Sequence, residues 1–234
     1  MEYSNKTWRA CALCMLAALA MTTGCQNKPA ETADSTNAAT DSVVAESPLD
    51  NAVVRAIMDR RSVRKYKPEP VPKEMLDVIL HCGINAPNAM NEQRWEVRVT
   101  NSKAFIDGVT KVFIESAKDD ERVQKMVGDP DFRNMFRNAP TVIFVAGKAD
   151  EKSSPIDCGL LGENIMLAAQ SMGLGTCCLG SAAGFLNSNP DAANYLKQLA
   201  FSDGYELLYA IAIGYPDESP EAKPRDASKI RYIE

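Results

Sequence analysis

The chain has 234 residues, of which 45% are hydrophobic and 24% charged, a balance typical of a soluble globular protein. The net charge of −5 argues against a general nucleic-acid binder, so any anion site must be a local cluster of Arg and Lys. The single histidine, His81, weakens every mechanism that needs a Ser-His-Asp triad, a Cys-His pair or a His-rich metal site.

The N-terminus combines positive charge, an apolar run and a small-residue ending. Lys6 and Arg9 precede a twelve-residue apolar run that is short for a bilayer span. The ending Gly-Cys at Cys25 resembles the lipobox of bacterial lipoproteins, although Thr22 stands where that motif usually has Leu. We expect residues 1–24 to be a signal peptide and Cys25 to be lipidated. Ordinary cleavage and a short membrane anchor are the alternatives.

Residues 25–49 are rich in Ala, Thr, Ser, Asp and Asn and lack a sustained apolar period. This composition predicts a flexible tether with a root-mean-square reach of roughly 25–30 Å. We therefore expect a lipoprotein of the bacterial cell envelope, anchored to a membrane and facing away from the cytoplasm. Residues 50–234 form the one folded domain in this interpretation.

Two amphipathic helices are predicted at the start of this domain. Asp50 can cap the first, whose apolar side chains share one face over 53–58. Pro72 suits the first position of the second, which has an apolar stripe over 75–80.

The remaining elements alternate irregularly between strands and helices. Strands are predicted over 95–100, 141–146, 176–179 and 207–213, and helices over 105–117 and 156–172. Gly173 ends the last of these helices. Because a strict βαβ alternation is missing, we expect an α+β fold with helices flanking a sheet.

Four cysteines lie beyond the tether, and their spacing matches neither a zinc site nor a thioredoxin motif. Cys177 and Cys178 are adjacent in an apolar stretch, which predicts buried free thiols. Outside the cytoplasm, the alternative is a disulfide between two of the four cysteines, which also include Cys82 and Cys158.

Residues 60–64 read Arg-Arg-Ser-Val-Arg and follow the first helix, with Lys65 and Lys67 close behind. Three guanidiniums and a hydroxyl in five residues can hold a phosphate by charge-assisted hydrogen bonds. Cations also suit the negative end of a helix, so a solvated helix end is the alternative.

Two further segments carry candidate binding groups. Asn88, Asn91 and Gln93 lie in a turn before a strand, and their amides suit a flat heterocycle edged with N–H and C=O groups. A plain turn is the alternative. Near the C-terminus, Gly-Tyr-Pro at 214–216 precedes a basic stretch at 223–225, which by itself is a loop with solvated charges.

In combination, these segments resemble the nitroreductase family of FMN-binding proteins. That family has the motifs Arg-Arg-Ser-x-Arg, Pro-Ser-x-x-Asn-x-Gln-Pro-Trp, Gly-Leu-Gly after an apolar helix, and Gly-Tyr-Pro followed by a basic pair. The chain matches them in order at 60–64, 87–95, 173–175 and 214–225. The resemblance covers residues 50–234. It implies an α+β fold with a mixed, mainly antiparallel sheet flanked by helices, assembled as an intertwined homodimer.

The resemblance also implies two FMN sites at the dimer interface. Residues expected at the phosphate, ribityl chain and pyrimidine edge are Arg60, Arg61, Ser62, Arg64, Lys223 and Arg225. Residues expected around the isoalloxazine and ribityl are Pro87, Asn88, Asn91, Gln93, Leu179, Gly180 and Ser181. Pro87 and Asn88 would approach the ring from the partner subunit. Asn88 replaces the usual Ser, and Arg94 replaces the usual Pro before Trp95, so the chain lacks the ring that would stiffen that backbone.

The implied activity is ping-pong electron transfer from NAD(P)H through FMN to a nitroaromatic, quinone or related acceptor. Arg64, and after it Arg61, are the candidates for tuning the flavin, and no side chain is assigned as acid, base or nucleophile. A quinol or another flavoprotein is the alternative donor outside the cytoplasm. Residues 107–138 are the expected lid over the pocket.

Other functions stay open. One is reductive dehalogenation or flavin fragmentation within the same superfamily, and another is a surface lipoprotein that binds flavin without turnover.

Overall fold

The computed structural model describes residues 50–233. One sheet has the strand order β1-β2-β4-β3, with β1 (Trp95–Thr100), β2 (Thr141–Lys148), β3 (Gly175–Leu179) and β4 (Tyr205–Gly214). All three pairings are antiparallel, which confirms the expected sheet. The predicted signal peptide, lipidated Cys25 and tether lie outside the described residues.

Seven α-helices accompany the sheet in the described part of the chain. They are α1 (Ala52–Asp59), α2 (Lys73–Ile84), α3 (Lys103–Ser116), α4 (Glu121–Val127), α5 (Ser154–Ser171), α6 (Gly180–Ser188) and α7 (Ala193–Gln198). Within residues 50–233, no helix has both the length and the apolar character needed to cross a membrane.

The sheet is covered by helices on both faces. Successive side chains of a strand point to opposite faces, so β2 divides its residues between two hydrophobic clusters. Phe144 packs with α3 and α6 in one cluster, and Ile143 packs with α2 and α5 in the other. This explains why every residue of β2 except Lys148 is buried and why its sequence is continuously apolar.

Helix α5 is the central helix of one layer. It begins with Pro155 in its first turn and ends before Gly173, whose φ of +76° is left-handed and suits a residue without a side chain. Helix α2 packs closely on it, since a Cβ added at Gly83 would lie 2.6 Å from Cγ1 of Ile165.

An extended segment, residues 62–67, crosses the end of the sheet. The Val63 N–H donates to the Thr176 carbonyl at 2.9 Å, and the Lys67 N–H donates to the Tyr215 carbonyl at 2.9 Å. Val63 fits beside Gly175, where a Cβ would lie 2.8 Å from the valine Cβ. These contacts fix the backbone that follows α1.

The predicted strands and long helices are confirmed, with differences of one to two residues at most ends. The predicted capping residue of α1 is wrong. Asn51, not Asp50, accepts hydrogen bonds from the N–H groups of Val53 at 3.0 Å and Val54 at 3.1 Å. Asp50 instead pairs with Arg55 at 3.0 Å. Helix α1 buries none of its residues in the described chain.

Candidate functional site

The arginine segment, residues 60–64, presents its guanidiniums at the end of α1. Arg61 Nη1 donates to the Met58 carbonyl at 2.6 Å and the Arg60 carbonyl at 2.9 Å. Arg64 Nη1 donates to the Ser62 carbonyl at 2.9 Å. Among the described residues, no carboxylate lies within ion-pair distance of Arg61 or Arg64, so both keep donors for an anionic ligand.

Arg60 is placed differently, because its Nε lies 3.7 Å from Oε1 of Glu163 on α5. The pair is partly exposed, and such surface ion pairs contribute little to stability. The contact nevertheless places the arginine segment beside the middle of α5.

Glu218 is a neighbour of this segment that the sequence did not single out. Its Oε1 accepts a hydrogen bond from the Arg64 backbone N–H at 2.5 Å, across 154 positions of the chain. Lys223 and Arg225 are exposed, and Arg225 Nη1 donates to the Lys223 carbonyl at 3.0 Å. The described contacts therefore bring Glu218, but neither predicted basic residue, against the arginine segment.

The amide segment, residues 87–93, has an unusual backbone. Met90, Asn91 and Gln93 have φ values of 54°, 54° and 50°, in the left-handed region that L-residues rarely adopt. The Asn88 side-chain oxygen accepts from the Gln93 N–H at 2.9 Å and closes the turn. Such strain persists only where surrounding contacts impose it, and it is concentrated at functional sites.

Asp157, in the first turn of α5, supplies one of those contacts. The residue is 4% exposed, and its Oδ1 accepts a hydrogen bond from the Ala89 N–H at 3.2 Å. Its other oxygen, Oδ2, is buried without a hydrogen-bond partner in the described structure. Asp157 therefore anchors the amide segment to α5.

Arg94 supplies a second anchor, in place of the proline that the family motif has at this position. Its guanidinium pairs with Glu92 and lies 3.1 Å from Oε2 of Glu151. It also donates to Ser153 Oγ at 3.2 Å. The Ser154 hydroxyl donates to the Arg94 carbonyl at 3.1 Å. Side-chain contacts to the start of α5 thus hold the segment that a proline would otherwise stiffen.

Helix α5 connects the two predicted segments within one subunit. Glu163 contacts the arginine segment and Asp157 contacts the amide segment. Glu163 lies six positions after Asp157, which corresponds to roughly 9 Å along a helix axis. The two segments therefore lie along the same helix, although the structure shows no direct contact between their side chains.

The third predicted group lies where β3 passes directly into α6. Leu179 is buried and ends the strand, whereas Gly180 and Ser181 begin the helix and are exposed. No side chain caps the first turn of α6, and a Cβ at Gly180 would meet nothing within 4 Å. The backbone N–H groups of this turn therefore have no side-chain cap among the described residues and stay available for backbone contacts to a ring.

The predicted burial of the two adjacent cysteines is half correct. Cys177 is buried but Cys178 is exposed, because neighbouring residues of a strand point to opposite faces. Burial of part of each side chain raises the pKa of both thiols. The four described cysteines, including Cys82 and Cys158, are free thiols. The described residues also contain no cluster of His, Cys, Asp or Glu suited to a metal ion.

The predicted lid over residues 107–138 needs a correction. Its first part belongs to α3, where Val109 and Thr110 are buried in the core. A helix packed in this way is part of the scaffold. The last part, residues 129–138, lines a cavity of about 430 Å³ together with Arg64 and Tyr66.

The nitroreductase family model matches residues 57–215, which include the arginine and amide segments and all four strands. The NADPH-flavin oxidoreductase of Vibrio harveyi is 30% identical over 185 residues, covering 75% of this chain and 70% of the relative.

Two solved structures share the fold. A nitroreductase with bound FMN from Bacteroides fragilis is 26% identical, with a TM-score of 0.69, covering 79% of this chain and 100% of the relative. A nitroreductase with bound FMN from Desulfitobacterium hafniense has the same identity and coverage, with a TM-score of 0.70. From the extent of the family match and this shared fold, the chain belongs to the nitroreductase family.

Proposed function

We propose that this chain is an FMN-dependent oxidoreductase of the NAD(P)H type that reduces nitroaromatics, quinones or related acceptors. The family match over residues 57–215 is the observation that carries the proposal. The FMN bound by the nitroreductases of B. fragilis and D. hafniense supports the cofactor. The V. harveyi relative, an NADPH-flavin oxidoreductase, supports the donor.

The described residues fit FMN. Arg61 and Arg64 have no carboxylate partner among the described residues, so both can donate to a phosphate or to the pyrimidine edge. The strained amide segment offers Asn88, Asn91 and Gln93 in a conformation held by Asp157. When bound, FMN supplies the hydride- and electron-transfer chemistry. Arg64 and then Arg61 are the residues to which we assign tuning of its electron affinity.

The proposal includes a homodimer. Helix α1 exposes Val53 by 67%, Ile57 by 51% and Met58 by 67% of their surfaces. At the other end of the chain, Ile230, Tyr232 and Ile233 are also exposed. Apolar groups concentrated at the two ends of the described chain favour a surface that a second subunit covers. In such a dimer, Pro87 and Asn88 would complete the site of the partner.

The location outside the cytoplasm is also a proposal. The lipobox-like ending at Cys25 supports lipidation, and residues 26–49 would tether the domain to the membrane. A quinol or another flavoprotein would then be the alternative to NAD(P)H as the physiological donor. Metabolic labelling with a palmitate analogue tests this proposal: the label should appear on the wild-type chain and not on C25S. Equal labelling of both chains would contradict it.

Flavin binding by the purified protein tests the central proposal. We expect a yellow protein with flavin absorption bands, or a colourless protein that takes up added FMN in equal molar amount. Mass spectrometry of the released flavin should identify FMN. A colourless protein that does not bind added FMN would overturn the proposal.

A further inference from the structure

The cavity of about 430 Å³ contains a basic residue that the family motifs do not include, Arg137. Arg64, Lys65 and Tyr66 line one side of this cavity. The loop over residues 131–138, which leads into β2, lines the other side. A group bound at Arg64 would therefore lie in the cavity that Arg137 also borders.

The 131–138 loop has a fixed conformation. The Asn138 side-chain oxygen accepts from the N–H groups of Arg133 at 2.8 Å and Asn134 at 3.1 Å. Its amide nitrogen donates to the Asp131 carbonyl at 3.0 Å. Phe136 is fully buried in the core and anchors the middle of the loop. Satisfied polar networks of this kind make a backbone rigid.

Arg133 ties the same loop to the arginine segment. Its guanidinium donates to the Tyr66 carbonyl and, at 3.3 Å, to the Asn138 carbonyl. The loop and residues 62–67 thus form one connected wall around the cavity. The backbone that carries Arg137 is therefore held at a defined place relative to residues 62–67.

Arg137 itself is strained. Its φ is 58°, in the left-handed region, which costs free energy for a residue that has a Cβ. The next residue, Asn138, has a φ of 65°, but asparagine tolerates that conformation. The Arg137 side chain is exposed, and the described contacts give it no ion pair and no hydrogen bond. A strained residue without an internal partner suggests that the loop presents its side chain to something else.

The charges around the cavity favour an anion close to the two arginines. Four cations line it, Arg64, Lys65, Arg133 and Arg137, against three carboxylates, Asp129, Asp131 and Asp217. None of the ion pairs in the described chain joins these arginines to these aspartates. Burial raises the pKa of the Tyr66 hydroxyl; the charges of Cys177 and Glu218 add to that rise, and those of Arg64 and Arg137 oppose it.

We propose that Arg137, which borders the same cavity as the flavin-binding Arg64, forms an oxyanion subsite that selects substrates carrying a carboxylate or a phosphate. This inference rests on the proposed function, because it names the chemical class that the flavin enzyme would prefer. A guanidinium at a cavity that cations line in excess can hold such a group through charge-assisted hydrogen bonds. Neutral nitroaromatics and quinones would enter the same cavity without this contact.

The test compares the wild-type protein with R137N in the FMN-loaded form. Asparagine removes the charge and accepts the left-handed backbone, so the melting temperature should be unchanged or higher. Two ratios of kcat/KM are measured: 4-nitrobenzoate against nitrobenzene for the acceptor, and NADPH against NADH for the donor. We expect R137N to lower at least one of these ratios about tenfold. Its kcat/KM for the neutral or less charged substrate of that pair should be unchanged.

Two controls separate charge from structure. R137K should recover part of the lost preference, because it restores the charge without the planar fork. R122Q should leave both ratios unchanged, because Arg122 pairs with Asp120 and does not line the cavity. The affinity of FMN relative to riboflavin should be the same in the wild type and R137N.

Three results would overturn the subsite. In the first, R137N leaves both substrate ratios within about twofold of the wild type. In the second, only the FMN-to-riboflavin ratio changes, which would assign Arg137 to the cofactor phosphate. In the third, calorimetry finds equal affinity for benzoate in the wild-type and R137N proteins. The calorimetric measurement needs no turnover, so it stays informative even if the protein takes up no flavin and the proposed function fails.

Discussion

At the scale of single residues, Arg64 combines the contacts that matter most for the proposed cofactor. Its backbone N–H is held by Glu218 at 2.5 Å, while its guanidinium contacts only the Ser62 carbonyl among the described residues. The backbone is therefore fixed and the charged group is available. This arrangement suits a residue that positions a ligand, because no internal ion pair among the described residues occupies its guanidinium.

We predict that R64A weakens FMN binding roughly tenfold to a hundredfold, because one or more hydrogen bonds from a charged group are lost. Quenching of FMN fluorescence on titration measures the affinity. The unfolding midpoint should change little, since Glu218 binds the backbone N–H and not the side chain. R122Q is the matched control. Equal FMN affinity in R64A and the wild type would remove Arg64 from the site.

Cys158 gives a prediction about alkaline pH. Its thiol is fully buried on α5, and burial raises its pKa from 9.0 to about 11. A pKa raised by folding means that the contribution to stability is full below pH 9 and is lost as pH rises through 11. The unfolding midpoint should therefore fall over this range. The fall should be smaller in C158A, whose overall stability is lower because of the cavity left behind. An identical pH profile in both proteins would contradict this assignment.

At the scale of elements, the amide segment depends on the start of α5. Three of its residues have left-handed backbones, and Asp157 and Arg94 hold them from two sides. The cost of such strain is about 1–3 kcal/mol at each of Met90 and Gln93, whereas asparagine tolerates this conformation, so the surrounding contacts must maintain it.

We predict that R94A loosens this segment without unfolding the domain. Hydrogen exchange should become faster at the N–H groups of residues 88–93, and FMN affinity should fall several-fold, since Asn91 and Gln93 lose their fixed positions. R94P is the informative second variant, because proline restricts the backbone directly. It should recover part of the affinity. Unchanged exchange in R94A would show that Arg94 does not hold the segment.

The sequence predicted those elements whose pattern is decided locally. The strand over 95–100 matches β1, and the apolar runs gave β2, β4 and α5 to within two residues or fewer at each end. Helix α6 was missed because Gly180, Ser181 and Gly184 have low helix propensity. Burial of Ala182, Ala183 and Leu186 against the sheet outweighs that propensity.

The candidate site was predictable only in part. The motifs identified the arginine and amide segments, which the fold places along α5. Glu218 and Arg137 carry no local signal, because each acquires its role from residues far away in the chain. The apolar face of α1 shows a related limit. Periodicity predicts which side chains share a face, but it does not say whether the core or a second subunit covers them.

At the scale of the whole molecule, the exposed face of α1 predicts association. I57D should shift the protein from dimer to monomer in size-exclusion chromatography with light scattering, because a buried unpaired charge opposes the apolar contact. FMN should be lost together with the dimer, since each site would need Pro87 and Asn88 of the second copy. K118D changes an exposed charge elsewhere and should leave the dimer intact. A monomeric wild-type protein that binds FMN tightly would contradict the homodimer.

The proposed flavin chemistry and the proposed location depend on different parts of the chain. The flavin chemistry depends on the folded domain, whereas the proposed membrane anchor would depend on Cys25 and the residues around it. A protein lacking residues 1–49 would therefore keep the chemistry and lose the anchor. The choice of electron donor depends on both parts, because a nicotinamide cofactor is a cytoplasmic reductant and the proposed anchor would place the domain outside the cytoplasm.

Anaerobic titration of the FMN-loaded protein is the measurement that tests the central claim most directly. NADPH, NADH or a quinol is added first, and the flavin absorption near the visible maximum is followed. A nitroaromatic or quinone is added next. We predict that at least one donor bleaches the flavin and that the acceptor restores its colour in a separate step. Bound FMN that no donor reduces would contradict the enzyme assignment and leave a flavin-binding protein without turnover.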